Sequence, residues 1–185
     1  MTIEENQANE SLVILVDEND NQTGVIEKLE AHKKALLHRA VSVFIFTSDG
    51  RWLLQRRAFD KYHSSGLWTN TCCTHPRPGE SDLHSAERRL TEEMGISCHL
   101  EELFSFTYKE PMDSELTEHE LDHVFAGICD DEPDHNTSEV HEWKKISYEE
   151  LHSDIIANPD QYTYWFREIY QRVYSHLNNI REKEI

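Results

Sequence analysis

Short apolar runs broken by turn-forming residues fill most of the chain, and a helical periodicity takes over towards its end. LVILV (12–16) is the first run, and the polar DENDN after it reads as a turn. VSVFIF (41–46) is rich in β-branched and aromatic residues. SDG (48–50) punctuates it and RWLLQRR follows, which predicts a hairpin. LEELFSFTY (100–108), LDHVFAGIC (121–129) and EVHEWKKI (139–146) predict three further strands. Between them, Leu83, Ala86, Leu90 and Met94 recur at three and four residues, the spacing of an amphipathic helix. Ser81 or Asp82 can cap its start and Gly95 can end it. Ser147 and Glu150 form a capping box before a short helix. Beyond Pro159 a helical stripe is drawn by Tyr162, Trp165, Phe166, Ile169, Val173 and Leu177. Mixed strands with interleaved helices predict an α/β sandwich.

Composition narrows the class. The chain of 185 residues is long enough to bury a core without disulfides, and it reads as one domain, 12–185, behind a polar tail, 1–11. Acidic residues outnumber basic ones 36 to 18, a formal charge of −18. Such a surface argues against nucleic-acid and anionic-membrane partners. No stretch approaches the ~20 apolar residues of a membrane span, and no apolar leader with a cleavage-like site opens the chain. The four cysteines, Cys72, Cys73, Cys98 and Cys129, lack the spacing of a secreted framework, so a cytoplasmic protein is expected. Two stretches oppose the overall sign, KLEAHKKALLHR (28–39) and RWLLQRRAFDK (51–61), either as solvated faces or as an anion site.

The candidate chemistry starts at TNTCCTHP (69–76). A metal knuckle, a redox pair and a single working thiol all compete here. Structural zinc sites separate paired cysteines by two to four residues, whereas Cys72 and Cys73 are adjacent. In an extended strand they face opposite sides, and a disulfide between neighbours is strained. One thiol at most therefore serves a shared pocket, and His75 lies on the face of Cys73. In ELTEHELDH, Glu118, Glu120 and Asp122 alternate onto one face, which is unfavourable unless something positive lies there or solvent reaches them. With His32, His38 and His75, the carboxylates of Glu118 and Glu120 make a three-nitrogen, two-oxygen set suited to a divalent metal. Glu92 and Glu93 stand near a helix C-terminus, where the dipole disfavours them and a cation would relieve them.

The segment GESDLHSAERRLTEEMGI (79–96) resembles the Nudix box, G-x5-E-x7-R-E-U-x-E-E-x-G-U with U bulky and apolar. Glu80, Arg88, Leu90, Glu92, Glu93, Gly95 and Ile96 fit it, while Thr74 stands at the first glycine and Arg89 at the first glutamate of the R-E pair. Pyrophosphohydrolases of the family use that glutamate for metal and water, so a cation there argues against hydrolysis. Together with LHRAVSVFIF, QRR, GLWTNTCCTHP and YKE…EHELDHVF, the box resembles the type I isopentenyl-diphosphate delta-isomerase family over nearly the whole chain.

The resemblance implies a Nudix-like α/β/α sandwich with a mixed sheet, an added N-terminal strand and helix, and C-terminal helices. It implies interconversion of isopentenyl and dimethylallyl diphosphate by protonation and deprotonation through a carbocation. Cys73, Glu120 and Tyr108 match the catalytic groups, and His32, His38, His75, Glu118 and Glu120 match ligands of a Mn2+, Mg2+ or Zn2+ ion. Glu93 fits a second, substrate-linked Mg2+. Lys28, Arg57 and Lys61 match cations that hold the diphosphate, and Trp165 looks like an aromatic wall for the carbocation. The implied partner is a small isoprenoid diphosphate, with no nucleic acid or membrane, and the protein is expected as a monomer or homodimer. The alternatives are a Nudix pyrophosphohydrolase and, from another class, a metal-binding or redox module built on Cys72, Cys73 and His75.

Overall fold

A computed structural model describes residues 11–61, 63–112 and 115–183, the side chains of 178–183 excepted. The tail expected over 1–11 falls outside this range but for Ser11. The elements in order are β1 (Leu12–Val16), β2 (Gln22–Glu27), α1 (Lys28–Lys33), β3 (His38–Phe46), β4 (Trp52–Arg57), β5 (Trp68–Thr69), β6 (Cys72–Thr74), α2 (Asp82–Met94), β7 (Leu100–Pro111), β8 (Thr117–Ile128), β9 (Val140–Ile146), α3 (Tyr148–Ala157), a 3-10 turn (Pro159–Gln161) and α4 (Tyr164–Lys183).

The strands form one mixed sheet centred on β3. Along one side β3 runs parallel to β8 from His38↔Glu120 to Phe46↔Ile128. Its other side is shared by β1 at His38, β6 at Val41–Val43 and β4 at Ile45 and Phe46. The last of these is the expected hairpin. β4 in turn pairs antiparallel with β9 and β5, and β8 with β7.

Alternation along β3 splits the core into two layers. Val41, Val43 and Ile45 face α2, where they pack with Ala86, Leu90 and Met94. Phe44 and Phe46 face α3 and α4, where Leu151, Phe166, Ile169 and Val173 cover them. The result is the three-layer α/β/α arrangement expected from the sequence.

The helix boundaries follow the sequence signals. Ser81 caps α2 through its side chain, and Gly95 ends it in the left-handed region at φ 67°. The Ser147–Glu150 capping box starts α3. The last helical stripe needs one correction. Tyr162 is extended and precedes α4, because the turn begun by Pro159 has to close before the helix starts at Tyr164. Tyr162 is still fully buried in the same core layer. Strands β5 and β6 have two and three residues, too short for a periodicity, and the edge strand β2 is half-exposed and polar; none was legible.

The loop into α2 is tied by Glu80. Its carboxylate accepts from Arg88 Nε at 2.7 Å and Nη2 at 2.9 Å, and from the Arg77 amide at 2.9 Å. Burial works against ionisation of Glu80, but the Arg88 bonds and the Arg77 amide outweigh it and hold the carboxyl below its ordinary value. A depressed carboxylate contributes stability above the unfolded value, and that stability is lost as pH falls. Glu80→Gln is therefore expected to be less stable than the parent at neutral pH, with the gap closing below the ordinary glutamate value of 4.5; urea titrations across pH measure it. A Cβ at Gly95 would meet the Asp134 carbonyl as well as the φ penalty. Gly95→Ala should cost more than about 1 kcal/mol in the same assay.

Candidate active site

The upper part of the β3–β8 pairing carries polar residues where the lower part carries Phe44, Val124 and Ala126. His38, Ala40 and Ser42 share a face of β3, and Glu118, Glu120 and Asp122 share the matching face of β8. The acids expected on one face are thus on one face, and all three are buried. Strand β6 sets Cys73 opposite Ser42 and Cys72 opposite Val43. Cys73 therefore joins the polar face, and Cys72 sits in the α2 layer with Leu90 and Met94. This resolves the opening choice in favour of two separated thiols, and all four cysteines are unpaired.

A short helix brings in the next histidine. Glu27 caps α1 by accepting from the Glu30 amide. After α1 the chain turns through Ala35 at φ 51°, a left-handed residue that returns it to β3. The His32 and His38 rings then lie 4.9 Å apart, and His38 and His75 5.1 Å apart. One ligand atom from each of His32, His38, His75 and Glu120 falls within 4.8 Å of the others.

These residues fit a divalent metal by three observations. His32 Nδ1 lies 2.6 Å from the Lys28 carbonyl and His38 Nδ1 2.8 Å from the Leu36 carbonyl. Carbonyls only accept, so each ring carries a proton on Nδ1 and turns its Nε2 towards the cluster, the usual orientation of a metal-binding histidine. His38 Nε2 is buried without a hydrogen bond, 3.5 Å from Glu120 Oε1. Burial works against the charged form of His32, but the Glu118 hydrogen bond and charge outweigh it and raise His32, whereas His75 is shifted the other way. Burial, then the Lys28 charge, depresses His75 to about 3, keeping it neutral. Burial opposes ionisation of Glu120, but the His38 and His75 rings outweigh it and hold the carboxyl well below its usual range. Glu118 stands beside the cluster, 3.1 Å from His32 Nε2 and 3.2 Å from His63 Nε2. Burial and the Glu120 charge raise its value.

A cavity of ≈ 280 Å³ opens next to this cluster. Cys73, Tyr108, Glu118, Glu120 and Trp165 line it, with Lys28 and Arg57. Tyr108 donates to Glu120 Oε2 at 2.6 Å. Burial and the surrounding carboxylates push the Tyr108 phenol well above its ordinary value. Burial, then the Asp122 charge, pushes the Cys73 thiol up to about 12, so it rests protonated. The Arg57 guanidinium lies 5.5 Å from the Trp165 ring centroid. Burial lowers Lys28 although Glu118 and Glu120 support its charge.

Besides His32 and His38, which belong to the cluster beside the cavity, two expected residues are not brought to its wall. Lys61 is ion-paired with Glu139, which also holds Arg89. Glu93 is buried; its Oε1 pairs with Arg89 at 2.5 Å and its Oε2 accepts from Gln55 at 2.6 Å. The reason is the same for both. A cation at position 89 reaches two carboxylates from one turn of α2, and Glu139 draws Lys61 into the same network. Sequence reading missed His63, Ser42, Asn70, Arg77 and Arg89 as site residues. Asn70 stood in the TN dipeptide next to the thiol, the one signal that could have found it. His63 comes from an irregular loop with no pattern around it.

Residues 36–172 match the NUDIX domain family. The crystal structure of DR0079 from Deinococcus radiodurans superposes with a TM-score of 0.71 at 20% identity, covering 87% of this chain and 98% of that one. The chain belongs to the Nudix family, a fold class whose members generally use divalent metal. A protein from Pectobacterium atrosepticum named isopentenyl-diphosphate Delta-isomerase is 51% identical over 161 residues, covering 87% of this chain and 90% of its own. Isopentenyl-diphosphate Delta-isomerase 2 of Aromatoleum aromaticum is 49% identical over 166 residues, covering 90% and 88%. Within the Nudix family the chain is a member of the isopentenyl-diphosphate Delta-isomerases, which are enzymes. Among the described residues no helix is long and apolar enough to cross a membrane.

Titration with Mn2+, Zn2+ or Mg2+ should raise the thermal midpoint as mass action requires, and His38→Ala should weaken the binding at least about tenfold. Calorimetry on the purified chain measures both.

Proposed function

We propose that the protein interconverts isopentenyl and dimethylallyl diphosphate by moving protons between Cys73 on one wall of the cavity and the Tyr108–Glu120 pair on another. One observation carries the reading. A thiol, a hydrogen-bonded phenol–carboxylate pair and an indole line the same small cavity. Moving a double bond along a five-carbon chain needs a proton delivered to one carbon and another withdrawn from its neighbour's substituent. The groups present can hold those protons at Cys73 Sγ, Tyr108 Oη and the Glu120 carboxylate.

The intermediate that follows protonation is a tertiary carbocation. An aromatic face stabilises a desolvated cation by roughly 2 kcal/mol or more, which assigns that part to Trp165. Its indole sits on the first turn of α4, so the same helix that covers the core forms one wall of the cavity. The diphosphate would lie on Lys28 and Arg57, the latter offering a forked pairing to phosphate oxygens. Lys61 and Arg89 join them only by leaving Glu139. Glu93 would take a substrate-linked Mg2+ once Arg89 turns from it to the diphosphate.

His32, His38, His75, Glu120 and, beside them, Glu118 would hold Mn2+, Mg2+ or Zn2+. When bound, the ion supplies positive charge that keeps Glu120 ionised and moderates its basicity. A cytoplasmic location belongs to the same reading, for which four unpaired cysteines speak. Hydrolysis of diphosphates is the poorer fit, because Arg89 stands at the box position where the hydrolases carry the glutamate for metal and water.

Incubation with isopentenyl diphosphate and Mg2+ in heavy water should give dimethylallyl diphosphate carrying deuterium. Cys73→Ala should lower turnover by about 10²–10⁴-fold, while Cys72→Ala, a change in the α2 layer, should alter stability and leave turnover nearly intact. Normal turnover by Cys73→Ala would sink the mechanism.

A further inference from the structure

Asn70 is completely buried and every polar atom of its side chain is engaged. Its Nδ2 donates to the Cys72 carbonyl at 2.8 Å and the Val43 carbonyl at 3.1 Å. Carbonyls only accept, so these two bonds fix which end of the amide is nitrogen. Its Oδ1 therefore points the other way, and three donors converge on it. They are Cys73 Sγ at 3.2 Å, Trp165 Nε1 at 3.2 Å and Thr69 Oγ1 at 2.8 Å. An indole N–H can only donate, and a carbonyl oxygen cannot donate, so the Cys73 proton lies on the Asn70 side of the sulfur. Ser42 Oγ, 3.7 Å from that sulfur, gives its own proton to Asp122 at 2.7 Å, so towards the thiol it can only accept, and it does so from farther away than the Asn70 oxygen at 3.2 Å.

We propose that Asn70 is a positioning residue for the isomerisation, one amide oxygen that holds the Cys73 thiol and the Trp165 indole in fixed relation to each other. The inference rests on the catalytic reading of those two residues given above. Its physical content is that three separate elements, β6, α4 and the turn carrying Asn70, meet at a single acceptor. The thiol's rotamer, the direction of its proton and the tilt of the indole are then not independent. Anchoring of the amide by two main-chain carbonyls of β3 and β6 makes that acceptor as rigid as the sheet. Thr69 extends the same network, since its hydroxyl also meets Thr163 at 2.8 Å just before α4 begins.

The experiment combines steady-state turnover of isopentenyl diphosphate with the infrared S–H stretch of Cys73, isolated by subtracting the spectrum of Cys73→Ser. Asn70→Ala is expected to lower kcat by about 10²-fold, the cost of a misplaced reacting group, with KM little changed and the S–H band moved higher as the bond to Asn70 is lost. Trp165→Phe keeps the ring but removes one donor from Oδ1, so the Cys73 band should move lower as its bond to Asn70 strengthens. In the double variant the two losses in kcat should fail to multiply, falling short of the product by more than about twofold. A lost kcat with an unmoved S–H band, an unchanged kcat, or losses that multiply would overturn the proposal. If Asn70→Ala does not fold, Trp165→Phe decides alone, and a Cys73 band that ignores the missing indole N–H overturns the shared clamp. Normal turnover by Cys73→Ala would remove the catalytic reading instead, while the bands still report on the clamp.

Discussion

The parallel pairing of β3 with β8 is the constraint on which the site depends. Side chains alternate with a period of two, so a slip of one residue would send every one of them to the opposite face. In the observed register His38 lies beside Glu120 and Ala40 beside Asp122. The same two faces then continue into Phe44 and Val124, the floor of the α3–α4 core layer. The polar centre is thus the upper end of an ordinary hydrophobic face. Its carboxylates are buried because the strand that carries them is central, not because a separate pocket was built for them.

Much of this arrangement could be read from the chain, and the limits of the reading have physical causes. Helix α2 and the start of α3 were legible because their caps and apolar spacing are local signals. The separation of Cys72 from Cys73 was legible because adjacency in a strand dictates opposite faces. The histidine–carboxylate set carried no local signal, since its members come from α1, β3, the end of β6 and β8 and meet only through the sheet. The resemblance to a family supplied that link. Lys61 and Glu93 lie off the cavity wall because of long-range ion pairs. Glu139 lies in a stretch with no motif, and nothing in the residues around Lys61 or Arg89 announces it.

The charge distribution follows the same logic. An acidic protein presents a diphosphate with an unfavourable far field, and the cavity offsets it with cations that are partly or wholly withdrawn from water. Burial lowers Lys28, and the charges of Glu118 and Glu120 work against that loss. Arg57 rests on the Trp165 ring, which orders the guanidinium without neutralising it. Cations held in this way are already desolvated and oriented, so little reorganisation is left for the bound state.

Glu139 adds a threshold to that design. Its carboxylate joins Lys61 and Arg89, so an anion that takes up these two cations, as proposed, would compete with a rival tethered to the same chain. Such a rival acts at a high effective concentration whatever the cell contains. A singly charged visitor would only exchange one carboxylate-like partner for another. In the proposed reading, a group bearing several negative oxygens would satisfy both cations at once, and the pair would act as a filter on ligand charge before any carbon atom is recognised.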